Sequence, residues 1–208
     1  MSTDHPRAAA AAALRDLNHA FVASDPDDAA LEALTAAAAG ETAKLDAAPR
    51  RDRLALMRAS LGEGFPPNSA ASGFGDRAVG GIANPTSVDV EVDYEGDEVV
   101  AMVVLRRAFE GAPGRAHGGI VAAAFDDVTG FVIGMLREPA FTGELTVRYL
   151  APVPVNEPLE LRARLDGREG RKLFISGDAR HDGELVASCR AIYVTVDPTR
   201  FAGFPDPR

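Results

Sequence analysis

The sequence predicts an α+β fold in which an antiparallel sheet wraps one long central helix, with a helical extension before it. Residues 120–136 are apolar or small almost throughout, and a helix that is apolar on nearly all sides is expected to be buried. On both sides of this segment, apolar and polar residues alternate with period two, which is typical of strands with one buried face. Because no face of such a helix can be left to solvent, the strands must cover it.

The beginning of the chain is predicted to form three helices with thin, alanine-rich apolar stripes. The first begins at Pro6 and carries a stripe made of Leu14, Leu17 and Phe21. In the second, Asp25 and Pro26 are predicted as the N-cap and the first helical position. A third is predicted over residues 50–61. The extension could pack at the periphery or act as a flap over a pocket, and we favour peripheral packing.

Composition changes divide the chain into three parts. Residues 62–81 are rich in glycine, proline, serine and asparagine, as expected of a linker. We therefore predict a helical extension with its linker over residues 1–80 and a main domain over residues 81–197. An irregular tail is predicted over residues 198–208, where prolines recur.

The main domain is predicted to hold two strands, the long helix and then four strands. An alternating segment from Ser87 turns at Glu95-Gly96-Asp97 and returns as a strand over residues 98–107. Residues 109–116 are predicted as a loop because they contain two glycines and a proline. After the helix, the predicted strands cover residues 141–150, 159–165, 172–179 and 184–196. Turns between them are predicted at Asp166-Gly167 and at His181-Asp182-Gly183.

Two carboxylates, Asp126 and Asp127, lie on the central helix. Burying a charged side chain is costly unless it is paired or hydrogen-bonded, so a site is expected here. Asp126 is the better candidate, because the residues one turn to either side are small and leave room beside it: Ala122, Ala123, Thr129 and Gly130. Asp127 points in another direction, and we predict that it forms an ion pair or an interface contact.

A glycine pair, Gly118-Gly119, stands at the start of this helix after His117. The first N–H groups of a helix have no partner within it, and the helix dipole favours an anion there. A carboxylate and an N–H-lined anion site are two parts of an acyl-transfer site. A metal site is not predicted, since the other three histidines show no ligand spacing with His117: His5, His19 and His181.

The segment HGGIVAAAFD, with the histidine nine positions before Asp126, resembles the signature of the hotdog-fold acyl-CoA thioesterases of the PaaI-like group. The preceding FEGAPGRA is similar to the branch that contains the mammalian thioesterase-superfamily members. The resemblance extends to Asn84-Pro85 and to TGELTVRYLAPVP, and it covers roughly residues 81–196. It implies the hotdog fold and a homodimer or dimer of dimers, paired through sheet edges, with active sites between subunits.

The resemblance also implies a role for each candidate residue. Asp126 would be the general base or nucleophile, and the Gly118 N–H would hold the developing oxyanion, with Gly119 as a further substrate-binding position. Thr142 and His117 would position water or the carboxylate. The chain departs from the pattern at two positions. Gly111 stands where some relatives carry asparagine, which leaves carbonyl polarisation to backbone donors, and Asp127 stands where relatives often carry glutamate.

The expected activity is therefore hydrolysis of acyl-CoA thioesters to free acid and coenzyme A. No metal or redox cofactor is expected, because a thioester is already activated and coenzyme A enters with the substrate. A non-catalytic acyl-CoA-binding module remains an alternative, as does an enoyl-CoA hydratase or dehydratase. The net charge of −9 argues against nucleic-acid partners. We expect a cytoplasmic protein with no membrane span and, because Cys189 is the single cysteine, no intramolecular disulfide.

Overall fold

A computed structural model describes residues 5–52 and 75–197. Three helices are present in this part of the chain: α1 (Pro6–Ala23), α2 (Asp28–Asp46) and α3 (Gly118–Leu136). The strands are β1 (Asp89–Glu95), β2 (Glu98–Val104), β3 (Glu110–Ala112), β4 (Arg115–Ala116), β5 (Ala140–Tyr149), β6 (Pro158–Glu169), β7 (Lys172–His181) and β8 (Glu184–Thr195). The predicted helix over residues 50–61 falls outside the described residues from position 53, and so does the predicted tail.

The predicted antiparallel sheet around a central helix is confirmed. Six strands form one antiparallel sheet in the order β1-β2-β6-β7-β8-β5, and α3 packs across one face of it. Phe125 lies at the centre of the core, where the side chains are almost fully buried. The same core contains almost fully buried side chains from the sheet, among them Val99, Leu161, Leu173 and Ile175. The sheet thereby places β5 at an edge, next to the face of α3 that stays open.

The central helix is long and apolar enough, by length and composition, to pass for a membrane span. Its buried side chains instead pack into the core of the sheet: Val121, Ala124, Phe125, Val128, Thr129, Phe131, Val132 and Ile133. The helix ends at Arg137, which adopts the left-handed conformation that commonly terminates helices. It is therefore the core helix that the apolar pattern predicts.

Two local predictions in the main domain are wrong. Asp166-Gly167 does not form the turn after β6, because the strand continues to Glu169 with a register irregularity between Leu165 and Gly167. The turn is made by Gly170, whose φ of 56° suits glycine. The predicted loop over residues 109–116 instead forms the short hairpin β3–β4 after a 3-10 turn over Arg107–Phe109. The Pro-Gly pair forms the turn of this hairpin, which explains why the segment contains loop-forming residues although its two sides are short strands.

The predictions for the first two helices need correction in detail. Helix α2 is capped by Asp27, whose carboxylate accepts from the Ala30 N–H at 2.9 Å, and not by Asp25. The predicted stripe of α1 is about half exposed: Leu14, Leu17 and Phe21. The buried face of α1 consists of smaller or polar residues, Ala8, Ala11 and His19. Small side chains let α1 approach the rest of the chain closely. A prediction based only on the largest apolar side chains therefore selects the wrong face of the helix.

Helix α1 is fixed to the main domain by hydrogen bonds from two side chains. Arg15 Nη1 donates to the Asn84 carbonyl at 2.9 Å, and buried His19 Nδ1 accepts from the Ala108 N–H at 3.0 Å. The His19 ring also packs edge-on against Phe109, whose carbonyl accepts from the His117 N–H at 2.8 Å. In this way α1 braces the turn that leads to the start of α3.

The His19 contact predicts a stability that depends on pH. Burial, followed by the field of Arg106, lowers the His19 pKa below its usual value of 6.5; the nearby charged groups are Arg106, Asp89, Asp16 and Arg15. Because the unfolded chain binds this proton more readily, the stabilisation is complete above pH 6.5 and is lost as pH falls from 6.5 towards the lowered pKa. Denaturant unfolding at a series of pH values should show this decline.

The matched variant is His19→Asn, which keeps a hydrogen-bond acceptor but does not titrate. We expect the decline in stability below pH 6.5 to be shallower in His19→Asn than in the wild type. Parallel pH curves for the two proteins would contradict the assignment of the decline to His19.

Candidate active site

His117 caps helix α3 and fixes the backbone at its start. Its Nδ1 accepts from the Gly119 N–H at 3.0 Å, and its own N–H donates to the Phe109 carbonyl. The cap satisfies the Gly119 N–H. The Gly118 N–H is the first of the helix and has no partner among the described residues, as is usual at a helix start. Both glycines are predicted to donate an N–H to an anion, and Gly118 is therefore the one whose N–H is available.

A cavity of about 380 Å³ opens at this helix start. Residues that line it include Gly111, Arg115, His117, Gly118, Tyr149 and Val153. The Tyr149 hydroxyl donates to the Gly118 carbonyl at 2.6 Å. The walls of the cavity are mainly apolar, and the groups that can donate hydrogen bonds include His117, the free Gly118 N–H and the Arg115 side chain. This is an arrangement that can hold a polarised carbonyl oxygen.

A close backbone contact gives a physical reason for Gly111 at the position where some relatives are expected to carry asparagine. A Cβ at this position would lie 3.0 Å from His117 Cα and 3.2 Å from His117 Cβ. A larger side chain would therefore displace the residue that caps α3. The close approach of the two backbones therefore favours glycine here, and it leaves the backbone N–H, the imidazole and Arg115 as polar groups of the cavity.

Asp126 and Thr142 lie together on the open face of α3. The Thr142 hydroxyl donates to Asp126 Oδ1 at 2.8 Å, and both residues are exposed. Thr142 stands near the start of β5, so the edge strand orients the carboxylate. The Thr142 hydroxyl therefore engages Oδ1, one of the two carboxylate oxygens.

A single chain holds the predicted site residues in two separate groups. His117 and the two glycines form one, and Asp126 with Thr142 forms the other. At 1.5 Å per residue, the eight positions from Gly118 to Asp126 separate the two groups by about 12 Å along the helix. The cavity lining does not include Asp126. One carbonyl group cannot reach both groups within one chain.

Two buried residues, Tyr193 and Thr129, form hydrogen bonds at the backbone of Asp126, and the sequence did not predict this role for either of them. The Tyr193 hydroxyl donates to the Asp126 backbone carbonyl at 3.0 Å and lies 2.9 Å from Thr129 Oγ1. Thr129 also donates to the Phe125 carbonyl at 2.8 Å. We expected Thr129 to leave room beside the carboxylate, but it is fully buried. Burial raises the Tyr193 pKa, so its hydroxyl keeps its proton at neutral pH.

Asp127 forms the predicted ion pair. Its carboxylate lies 3.5 Å from Arg77 Nε, and the Arg77 guanidinium stacks 4.4 Å above the centre of the Phe131 ring. Burial raises the Asp127 pKa, while Arg77 opposes that shift. The pair ties the segment before β1 to α3 on the side away from Thr142. The two neighbouring acids therefore have different environments, as their positions on a helix require.

Residue spacing gave no signal for Tyr149 or Tyr193. Tyrosine is common in strands, and their hydrogen-bond partners on α3 are 31 and 67 positions away. The one available hint was that each tyrosine lies at or near the C-terminal end of its strand, Tyr149 in β5 and Tyr193 in β8. Within the described residues, no group of three or more His, Cys, Asp or Glu side chains is placed to hold a metal ion.

Comparisons with known proteins find similarity to thioesterases. Residues 113–188 match the family model described as "Thioesterase superfamily". The chain is 31% identical over 93 residues to the acyl-coenzyme A thioesterase THEM4 of Mus musculus, covering 44% of this chain and 40% of the mouse protein. It is 33% identical over 91 residues to THEM4 of Xenopus laevis, covering 43% and 41%. The match thus spans about two fifths of these relatives.

A solved structure extends the comparison to most of the chain. The crystal structure of a thioesterase superfamily protein aligns with a TM-score of 0.74 and 26% identity, over 92% of this chain and 91% of that chain. The family match covers most of the cavity lining together with Asp126 and Thr142, and the structural match extends over 92% of the chain. The chain therefore carries the hotdog fold of the thioesterase superfamily.

Proposed function

We propose that this chain hydrolyses acyl-CoA thioesters to a free acid and coenzyme A. The observation that carries the proposal is the carboxylate of Asp126, exposed on an otherwise apolar helix and oriented by Thr142 at 2.8 Å. A structural role would favour an ion pair, as at Asp127, but no salt bridge is found for Asp126 within the described residues. The activity named for the THEM4 relatives supports the choice of acyl-CoA as substrate.

In the proposed reaction, Asp126 accepts a proton from water as the water oxygen bonds to the thioester carbonyl carbon. The Gly118 N–H donates to the oxyanion that develops on the carbonyl oxygen. Collapse of the intermediate breaks the carbon–sulfur bond, and the thiolate takes the proton to give coenzyme A and the acid. In the alternative order, the Asp126 carboxylate attacks the carbonyl carbon first, the carbon–sulfur bond breaks and the coenzyme A thiolate leaves. Water then opens the resulting anhydride, which gives the acid, restores the Asp126 carboxylate and supplies the proton that the thiolate takes.

The proposed site is shared between two copies of the chain. The separation of about 12 Å along α3 means that the Asp126 and Gly118 acting on one carbonyl must come from different chains. Strand β5 offers the surface for pairing, because it is the edge of the sheet and carries two large exposed side chains, Phe141 and Tyr149, with the exposed Leu150 directly after it. Exposed sheet edges readily pair with other strands. We propose a homodimer or a dimer of dimers.

The proposed reaction needs no metal or redox group, since the substrate is already an activated ester and brings coenzyme A with it. We propose a cytoplasmic location, where acyl-CoA substrates occur. The apolar walls beside His117 suit the acyl or pantetheine part of such a molecule better than a highly charged one.

A panel of acyl-CoA substrates with short, long and aromatic acyl groups tests the proposal. Release of free thiol should be observed with at least one substrate, and the size of the protein in solution should exceed that of one chain. Loss of an enoyl chromophore without thiol release would indicate a hydratase instead. Saturable binding of acyl-CoA with no turnover across the panel would indicate a binding module and contradict the proposal.

A further inference from the structure

Tyr149, the last residue of β5, contacts the first turn of α3. Its hydroxyl donates to the Gly118 carbonyl at 2.6 Å, and a Cβ on Gly118 would lie 3.2 Å from Tyr149 Cζ. About half of the Tyr149 side chain is exposed, and it lines the cavity with His117 and Gly118. The edge strand therefore supports the start of the helix directly.

The hydrogen bond from Tyr149 reaches His117 through one peptide group. The Gly118 carbonyl that accepts from Tyr149 and the Gly119 N–H that donates to His117 Nδ1 belong to the same peptide. Hydrogen bonds in series polarise one another, so donation at the carbonyl strengthens donation by the N–H. Two successive glycines have wide conformational freedom, and the Tyr149 contact adds to the helix in holding this peptide in one orientation.

This series of hydrogen bonds determines which nitrogen of His117 carries the proton. A neutral imidazole has one donor and one acceptor nitrogen. Because Nδ1 accepts from Gly119, the hydrogen-bond network assigns the proton to Nε2. His117 Nε2 has no partner among the described residues, so the Nε2–H and the Gly118 N–H are both available as donors at the start of the helix.

We infer that Tyr149 is a positioning residue for the proposed hydrolysis, and the inference rests on that proposed function. Its hydroxyl holds the Gly118-Gly119 peptide, and through it keeps His117 as the Nε2–H tautomer facing the thioester carbonyl. Tyr149 does not touch the reacting atoms in this role. It fixes the two donors on which stabilisation of the oxyanion depends.

Tyr149→Phe tests the inference, because it removes only the hydroxyl and keeps the ring that packs on Gly118. We expect kcat to fall by about threefold to tenfold, as for loss of one hydrogen bond, with little change in KM. Nitrogen-15 spectra of the protein labelled at histidine should show the Nε2–H tautomer of His117 in the wild type. In Tyr149→Phe the same signals should move towards a mixture of tautomers.

Tyr94→Phe is the matched control, since it removes a tyrosine hydroxyl from β1 and should leave kcat and the His117 signals unchanged. An unchanged kcat in Tyr149→Phe, or a His117 spectrum identical to the wild type, would overturn the inference. If no acyl-CoA is hydrolysed by the wild type, the proposed function fails, but the spectra still decide whether Tyr149 controls the His117 tautomer.

Discussion

Replacing Asp126 with asparagine is expected to lower kcat for acyl-CoA hydrolysis by about 10²- to 10⁴-fold, the usual contribution of a positioned general base. Asparagine has nearly the same shape and its amide oxygen can still accept from Thr142, so the surroundings should stay in place. Only the capacity to take a proton or attack a carbonyl is lost. Because the side chain is exposed, the free energy of unfolding should change little. Thiol release and denaturant unfolding measure the two quantities.

Asp127→Asn is the control for this experiment, and the opposite result is expected. Removing this carboxylate leaves the Arg77 cation unpaired in a mostly buried position, which destabilises a protein by about 3–5 kcal/mol when the pair is well buried and less when solvent reaches it. Turnover per folded molecule should persist. If both variants lost activity equally, or if Asp126→Asn kept wild-type kcat, Asp126 would not be the base or nucleophile.

The parts of the fold that the sequence predicts correctly are those with a repeating local pattern. The alternation of Val88, Val90 and Val92 indicates a strand with one buried face. The apolar segment indicates α3, whose face towards the sheet is buried, although the face that carries Asp126 stays open. The resemblance then placed His117, Asp126 and Thr142 on the right elements. The observed contact between Thr142 and Asp126 agrees with the geometry that the resemblance implies, whereas their chemical roles stay predictions.

The wrong predictions arise where two local signals compete or where a partner is distant. Asp166-Gly167 is a strong turn dipeptide, but pairing with β7 continues past it and Gly170 takes the positive φ. In α1, packing against the turn before β3 selects Ala8, Ala11 and His19 over larger apolar residues. Which face of α1 is buried depends on the part of the fold that it packs against. The spacing of apolar residues within the helix alone does not predict that face.

The same reason explains why Tyr149 and Tyr193 could not be predicted. Each donates to a backbone carbonyl of α3, at Gly118 and Asp126 respectively. Every residue has a backbone carbonyl, so the type of the accepting residue gives no indication in the sequence that a tyrosine will bind there. The two tyrosines support the two ends of the proposed site, one in each of the groups that α3 separates.

Gly118→Pro is expected to lower kcat by about 10²- to 10³-fold, the effect of removing one oxyanion donor. Gly118 is the first residue of α3, where proline fits the helix and only removes the N–H. The extended His117 before it, with φ −64° and ψ 129°, is also compatible with a following proline. The control is Gly118→Ala, which adds a Cβ at the same 3.2 Å from Tyr149 but keeps the N–H. Gly118→Ala should lose much less activity than Gly118→Pro.

Mixing the two inactive variants tests whether the site is shared between chains. In a mixed dimer of Asp126→Asn and Gly118→Pro subunits, one site combines both defects, and the other combines an intact Asp126 with an intact Gly118. Random mixing makes half of the dimers mixed, each with one working site of two, so about a quarter of wild-type activity should return. A site contained within one chain would be defective in every subunit, and no activity would return on mixing. Recovery therefore distinguishes a shared site from one that each chain forms alone.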